Sequence, residues 1–386
     1  MGDALARLEE AAWRAVVPLY VTVELTRRCN LNCDHCYVDH HIKDQLSVKQ
    51  LDAIFADIAR AGGLFLGLTG GEVGLRKDLH EIIAAARQYR FNVKLLSTAT
   101  LFDEQDIATL AASNVRQVKV SIYSANPEIH DRVVRRKGAH ALSLRGIRRL
   151  LDAGIDVIMA CPIMRENKDE IASVVALAQK MGAKAEFDGR VNPMEDGNKE
   201  PCSLRISAGE LAASFNTEPG LAEYLLGGGN AWANDGLLPP RNPDDHVCSA
   251  GNTLCFIDSR GDVFPCVWWR EKIGSALAEG GFYNLWKTAP TFQRIRNFKL
   301  KDLSECQDCK LQRYCSVCPG VGFTERGDAA LAGSSVCNTA AANKLFYENI
   351  RHGQPISDPG YVVLGATGEI GQARGLAKRS KLPIIA

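Results

Sequence analysis

Three cysteines in one short run, Cys29-Asn-Leu-Asn-Cys33-Asp-His-Cys36, constrain this chain more than any other feature. The C-x3-C-x2-C run follows an apolar extended stretch, Pro18 to Leu25, and precedes an amphipathic helix that Ser47 is placed to cap. Thiolates this close can hold three irons of a [4Fe-4S] cube and leave the fourth iron without a protein ligand. An open iron is a place for a substrate or cofactor to coordinate, so the spacing points to catalysis more than to passive electron storage. The alternatives are a zinc site, which usually takes four ligands in paired C-x2-4-C units, and three reduced core cysteines.

The rest of the chain supplies a scaffold of a definite kind. Short apolar or β-branched runs at 19–25, 64–69, 92–97, 116–122, 155–160 and 184–189 alternate with helical patterns. Those patterns are Leu51/Ile54/Phe55/Ile58, Leu79/Ile82/Ile83/Ala86, Ile107/Leu110/Ala111, Leu144/Ile147/Leu150/Leu151 and Ile171/Val174/Val175/Ala178. Strands and helices in that order predict an α/β fold whose parallel sheet curls into a partial (β/α)6 TIM-like barrel. Functional loops of such barrels leave the C-terminal ends of the strands, and the Cys29 loop follows the first strand.

Other candidate ligands fall on the same rim. The second strand ends in Thr69-Gly70-Gly71-Glu72, where glycines permit close backbone approach and Glu72 can accept hydrogen bonds from an ammonium group. A glycine turn with an incidental acid is the plainer reading of that run alone. The third and fourth strands end in Ser97-Thr98 and Ser121-Ile122-Tyr123, hydroxyls equally able to bind a ligand or cap the next helix. His130-Asp131-Arg132 and Arg135-Arg136 follow as a basic loop, and the fifth strand leads to Cys161-Pro162.

Residues 189–246 change character, with Pro239-Pro240 and Asn242-Pro243 marking turns around one expected helix near 207–226. Asp188, Arg190 and Glu195, at or just past the end of the sixth strand, are placed either to face substrate or to be solvated loop residues, the second being the plainer reading. From Cys248 the cysteines return as Cys248, Cys255 and Cys266, then Cys306-x2-Cys309-x5-Cys315-x2-Cys318, then Cys337. A zinc ribbon is the simple reading of the two C-x2-C pairs, but eight cysteines between 248 and 337 suffice for two four-thiolate sites. Phe264, Trp268, Trp269, Trp286 and Tyr314 are expected to pack around them and exclude water.

Taken together these motifs resemble the radical S-adenosylmethionine (SAM) enzymes that carry a C-terminal SPASM domain, over roughly residues 18–345. The resemblance implies that Cys29, Cys33 and Cys36 hold a cluster whose open iron binds SAM. Gly70, Gly71 and Glu72 would hold the methionine amino group, with His35, Ser97, Ser121 and Arg132 as further cofactor contacts. By resemblance, Cys248, Cys255, Cys266 and Cys318 hold a first auxiliary [4Fe-4S] cluster, and Cys306, Cys309, Cys315 and Cys337 a second, for three clusters in all. Some relatives leave one iron of the first auxiliary cluster open, which makes Cys255 the least secure ligand. The run Cys315-Ser-Val-Cys318 is one residue shorter than the family's usual spacing.

The implied chemistry is reductive cleavage of SAM to a 5′-deoxyadenosyl radical that abstracts a hydrogen atom from a substrate. Most SPASM proteins act on peptides, so the first expectation is maturation of a ribosomally made precursor peptide by crosslinking, epimerisation or backbone modification. A separate leader-binding protein and a reductant such as flavodoxin or ferredoxin are the expected partners. Radical oxidation of a small molecule (a tetrapyrrole or aminosugar), sulfatase-type maturation and a non-catalytic iron–sulfur electron carrier are the other readings; a carrier has no use for the Gly70–Glu72 loop. Net charge is +1 with both signs well mixed, which implies no nucleic-acid partner. No apolar stretch is long enough for a bilayer, and thirteen cysteines without a secretory layout suit metal in the cytoplasm. The expected organisation is an N-terminal helix (1–17), the barrel (18–200), a bridge (201–246), the cysteine-rich domain (247–345) and a C-terminal extension (346–386). For residues 361–386 a short strand, a disordered end or a fused leader mimic are the options.

Overall fold

The computed structural model describes residues 2–41, 45–113, 115–218, 220–227, 238–357, 362–364 and 370–372. Six parallel strands alternate with helices: β1 (Tyr20–Thr26), α2 (Val48–Arg60), β2 (Phe65–Gly70), α3 (Leu79–Gln88), β3 (Asn92–Ser97), α4 (Glu104–Ala112), β4 (Gln117–Ser121), α5 (Pro127–Val133), α6 (Ala139–Asp152), β5 (Asp156–Pro162), α7 (Ile171–Met181) and β6 (Lys184–Asp188). Helix α1 (Gly2–Ala15) precedes them. Ser47 caps α2 as expected, in a capping box with Gln50. That helix buries Leu51, Ile54, Phe55 and Ile58, the four residues its periodicity selects.

Along each strand the side chains alternate. On β1, Val21, Val23 and Leu25 are buried against the helices, while Thr22 and Glu24 take the opposite face, inside the barrel. The same alternation puts Lys119 and Ser121 of β4 and Glu186 and Asp188 of β6 on the inner face, where they line one cavity. Two expectations change. The basic stretch after β4 is helix α5, started by Asn126, whose side chain accepts from Glu128 N, and by Pro127 in the first turn. The single helix expected near 207–226 is instead α8 (Ala208–Ser214) and α9 (Leu221–Gly227), the second preceded by Gly220 at φ +84°.

The larger surprise concerns the C-terminal half, which shares the barrel's sheet and core. Strand β7 (Leu254–Ile257) pairs in parallel with β1, from Tyr20↔Leu254 to Val23↔Ile257. Antiparallel β8 (Asp262–Phe264) and β9 (Gly274–Ser275) follow, giving nine strands in the order β6-β5-β4-β3-β2-β1-β7-β8-β9. Gly261, at φ +85°, makes the tight β7–β8 turn that a side chain would strain. Helices α10 (Gly281–Thr288) and α11 (Pro290–Arg296) pack Phe282, Trp286 and Phe292 into the same core as the barrel residues, and Trp286 Nε1 donates to Val16 O at 2.8 Å. Trp286 therefore packs in the barrel core, not around the cysteines. Helices α12 (Pro319–Arg326) and α13 (Ser334–His352) close the cysteine-rich half. Beyond them, β10 (Val362–Leu364) pairs with β11 (Ile370–Gln372), and β10 lies beside α13. The remainder of the 361–386 segment, and the question of a leader mimic, lies outside the described residues. Among the described residues no helix is long and apolar enough to cross a membrane.

An ion network joins these parts. Arg27, 2% exposed, pairs with Glu24 at 3.0 Å, with Glu195 at 2.7 Å and with Asp258 at 3.4 Å. Burial would lower its pKa, but the three carboxylates outweigh burial and hold it above the ordinary value. Ser259 N also donates to Glu24, at 3.1 Å. Removing one member of a buried ion cluster leaves uncompensated charges and costs about 3–5 kcal/mol. Arg27→Met is expected to lower stability by that amount, read as a fall in the urea midpoint at constant slope; a midpoint within error of wild type would show that the carboxylates rehydrate without it.

Candidate functional site

The loops after β1 to β6 converge on a cavity of about 640 Å³. Its wall includes Cys29, Cys33, Cys36 and His35 from the first loop, Thr69–Gly71 after β2, Ser97 and Thr98, Ser121 and Tyr123, and Cys161 and Pro162. The cysteine-rich half completes it with Trp268, Ser316, Thr339, Asn343 and Phe346. The cavity thus spans both halves of the chain.

The three thiols sit close enough to feel one another's charge. Burial pushes Cys29 up to about 11, with Glu72 and Cys36 adding to the shift. Burial pushes Cys33 up to about 12, with Cys36 and Cys29 adding. Cys36 is raised by burial too. Buried thiols crowded together are unfavourable as bare thiolates and favourable once a cationic metal core neutralises them. Backbone amides are already aimed at sulfur: Leu31 N lies 3.4 Å from Cys29 Sγ. His40 Nε2 is 3.4 Å from Cys36 Sγ, and its Nδ1 is 2.5 Å from Arg27 O. These three residues fit an iron–sulfur cube with one uncovered corner.

The SAM-contact expectations fare differently. His35 lines the cavity with its Nε2 3.3 Å from Tyr123 Oη, and its Nδ1 is buried without a hydrogen-bond partner. Burial lowers it to about 4, so the ring is neutral and Nδ1 offers a site for a bound ligand. Ser97 and Ser121 both line the cavity. Glu72 does not: it is fully buried and turned away, accepting from Gly74 N (2.9 Å), Ser97 Oγ (2.7 Å), Thr98 N (2.6 Å) and Thr98 Oγ1 (2.5 Å). Its carboxylate fixes the β2 and β3 ends against each other, leaving Thr69, Gly70 and Gly71 to face the ligand. The two glycines are needed for chain-to-chain approach, since a Cβ at Gly70 would sit 2.3 Å from Thr26 O and one at Gly71 2.5 Å from Arg28 O. Arg132 is exposed on α5 and absent from the cavity wall, because the helix that replaces the expected loop turns it outward.

The eight later cysteines divide by position. Cys266 and Cys248 are raised by burial, to about 12 and about 11, and both feel the charge of Cys318. Burial raises Cys306 to about 11, Cys309 adding, and Cys315 to about 12, Cys306 and Cys309 adding; Cys337 on α13 is raised by burial and by those three. By these charge contacts Cys318 goes with Cys248 and Cys266, and Cys315 with Cys306, Cys309 and Cys337. Cys255 is not brought to the first group. It points from β7 into the barrel core, fully buried, and the charge it feels is that of Arg296. The parallel pairing of β7 with β1 dictates this orientation, since it puts Cys255 opposite Val21 on the core-facing side.

Several wall residues went unremarked or were misjudged in the sequence. Asp188 and Arg190, read there as solvated, line the cavity as a bidentate pair, Nε to Oδ1 at 2.9 Å and Nη2 to Oδ2 at 2.8 Å. Lys119 and Glu186 pair across the lumen. Glu195 belongs to the Arg27 network instead. Asn192 is buried in the wall, its Oδ1 accepting from Ser335 Oγ at 3.3 Å and its Nδ2 without a partner. The period-two polar pattern of β4 and β6 was the available signal for the first four; Asn192 had none.

This arrangement has known counterparts. A family profile described as the radical SAM superfamily matches residues 23–178, and one for the SPASM iron–sulfur cluster-binding domain matches 248–310. The mycofactocin maturase MftC of Mycobacterium ulcerans is 30% identical over 308 residues, 77% of this chain and 82% of that protein. This chain belongs to the radical SAM superfamily. An AdoMet-dependent heme synthase of Methanosarcina barkeri is 25% identical over 81% of this chain and 94% of its own length. Among solved structures, Streptococcus suis SuiB bound to precursor peptide SuiA matches with a TM-score of 0.67 at 16% identity, covering 86% of this chain and 80% of that one. As a radical SAM enzyme with a SPASM domain, the chain binds SAM and [4Fe-4S] clusters.

Metal loading must then release protons, because thiols held near 11 and 12 are protonated at neutral pH. The iron-free fold binds more protons than the unfolded chain between the ordinary thiol value of 9.0 and about 12, so its stability falls as pH rises through that window. The thermal midpoint of chelator-stripped protein is expected to drop from pH 9 to 11, and the drop to shrink in Cys29→Ala/Cys33→Ala. An equal drop in both would assign it to other groups.

Proposed function

We propose that this radical SAM enzyme modifies a precursor peptide, using three [4Fe-4S] clusters, with Cys29, Cys33 and Cys36 holding the catalytic one. The observation that carries the reading is the shared cavity: the wall beside the first three cysteines is continuous with the wall next to the later ones. When bound, the first cluster and SAM supply a 5′-deoxyadenosyl radical that takes a hydrogen atom from the substrate. The chain's own residues do the rest. The β2 backbone at Thr69–Gly71, Ser97, Ser121 and neutral His35 hold SAM, and Asn192 Nδ2 offers a fixed donor to an acceptor such as a peptide carbonyl. Trp268, Phe346 and Phe215 keep water from the reacting carbon. The relatives named as a maturase and, over about half of this chain, as a PqqA peptide cyclase support the peptide reading. A leader-binding protein and a flavodoxin- or ferredoxin-type reductant are the proposed partners.

The later cysteines are assigned by their grouping: Cys248, Cys266 and Cys318 to the first auxiliary cluster, and Cys306, Cys309, Cys315 and Cys337 to the second. Cys255 is a core residue in this reading. A second substrate class, a tetrapyrrole side chain, is favoured by the heme synthase relative.

Anaerobic reconstitution tests the proposal. About twelve irons per chain are expected for three cubes, with 5′-deoxyadenosine formed on addition of SAM and a one-electron reductant. Cys33→Ala should abolish deoxyadenosine formation. Cys318→Ala should lose about four irons, whereas Cys255→Ala should keep the wild-type count; loss of iron from Cys255→Ala would restore it as a ligand. Candidate precursor peptides and an iron-bearing porphyrin with propionate side chains are offered in parallel. A mass change in the porphyrin alone would replace the peptide reading.

A further inference from the structure

Two aromatic rings bridge the cysteine loops of the two halves. Tyr37 directly follows Cys36, and Trp268 stands two residues after Cys266. Their ring centroids are 4.8 Å apart at an interplanar angle of 59°, and both rings form part of the cavity wall. Each is fastened to its own cysteine site. Trp268 is pressed on α12, where a Cβ at Gly320 would meet its Cβ at 3.1 Å, and its carbonyl accepts from Thr324 Oγ1. That helix begins immediately after Cys318, and Trp269 N donates to Cys266 Sγ at 3.1 Å. On the other side, Tyr37 O accepts from Glu195 N at 2.9 Å, and Glu195 pairs with Arg27.

We propose that the Tyr37–Trp268 contact is the electron path between the Cys29/Cys33/Cys36 site and the Cys248/Cys266/Cys318 site. Tunnelling falls off exponentially with the gap through which an electron must pass, and two π systems in contact shorten that gap to the stretch between each ring and its own cysteines. No other aromatic contact among the described residues joins these two loops. The step is a single electron transfer. A carbon radical left on the substrate is oxidised at the auxiliary site, and that electron passes through the rings to the oxidised first site, which is reduced by one. No bond forms or breaks in the rings, and no proton leaves Tyr37. The proposal rests on the cluster assignments above.

The test needs no substrate. Reconstituted enzyme is loaded with a single electron by flash photoreduction with a deazaflavin, and freeze-quench EPR follows its redistribution among the clusters. Trp268→Leu is expected to slow equilibration between the first and auxiliary signals by at least an order of magnitude at unchanged iron content. Trp268→Phe should recover most of the rate. Equal rates in wild type and Trp268→Leu overturn the proposal and leave Trp268 a wall residue. If Trp268→Leu does not retain iron, Tyr37→Leu is read in the same way from the other side of the contact. Wild type that lacks either cluster signal, or makes no deoxyadenosine with SAM, would sink the underlying assignment and not the path alone.

Discussion

Burying one arginine among three carboxylates is the constraint on which this structure turns. Glu24 lies in β1, Glu195 in the chain after β6, and Asp258 at the end of β7, so a single guanidinium joins the barrel to the cysteine-rich half. The alternatives are unfavourable: without Arg27, three buried acids would face one another in a medium that screens poorly. Arg27 also directly precedes the cysteine loop, and its carbonyl meets His40. The network therefore fixes where the loop begins relative to the second half, which a site drawn from both halves requires.

The same logic explains why the two halves share a core. A strand that pairs in parallel with β1 must bring its alternate residues to the helix-covered side, and Cys255 and Ile257 go there with Phe282, Trp286 and Phe292. The cysteine-rich half cannot swing as a hinged module without breaking that ladder and uncovering Trp286. Rigidity here serves the chemistry, because a radical must meet its target in a fixed geometry while water stays out.

Much of this was legible in the sequence, and the failures have particular causes. The six strands, the capping of α2 by Ser47 and the split of polar from apolar residues follow from local periodicity. The first cysteine loop was legible because its three cysteines are close together in sequence. Arg132 was misplaced because the Asn126-Pro127 start signal of α5 was overlooked, and one helix turn decides which way a side chain faces. The resemblance grouped Cys255 with the first auxiliary set, and neither motif spacing nor a count of thiols says which face of a strand carries it; only the register with β1 does. Glu72 shows a third kind of limit. Its position was right and its partners were not, because the hydroxyls that bind it come from a strand 25 residues away.

Glu72 also shows how the site is kept ready. A carboxylate saturated by four donors from its own chain has little left to offer a ligand, but it holds the β2 and β3 ends at the spacing a ligand needs. The groups left unsatisfied are elsewhere: His35 Nδ1 beside the first cysteines and Asn192 Nδ2 on the wall shared with α13. A buried polar atom without a partner costs free energy that binding recovers. Both residues line the cavity, one on the barrel side and one against the cysteine-rich half, so each side of the cavity presents one fixed polar contact that an occupant can satisfy.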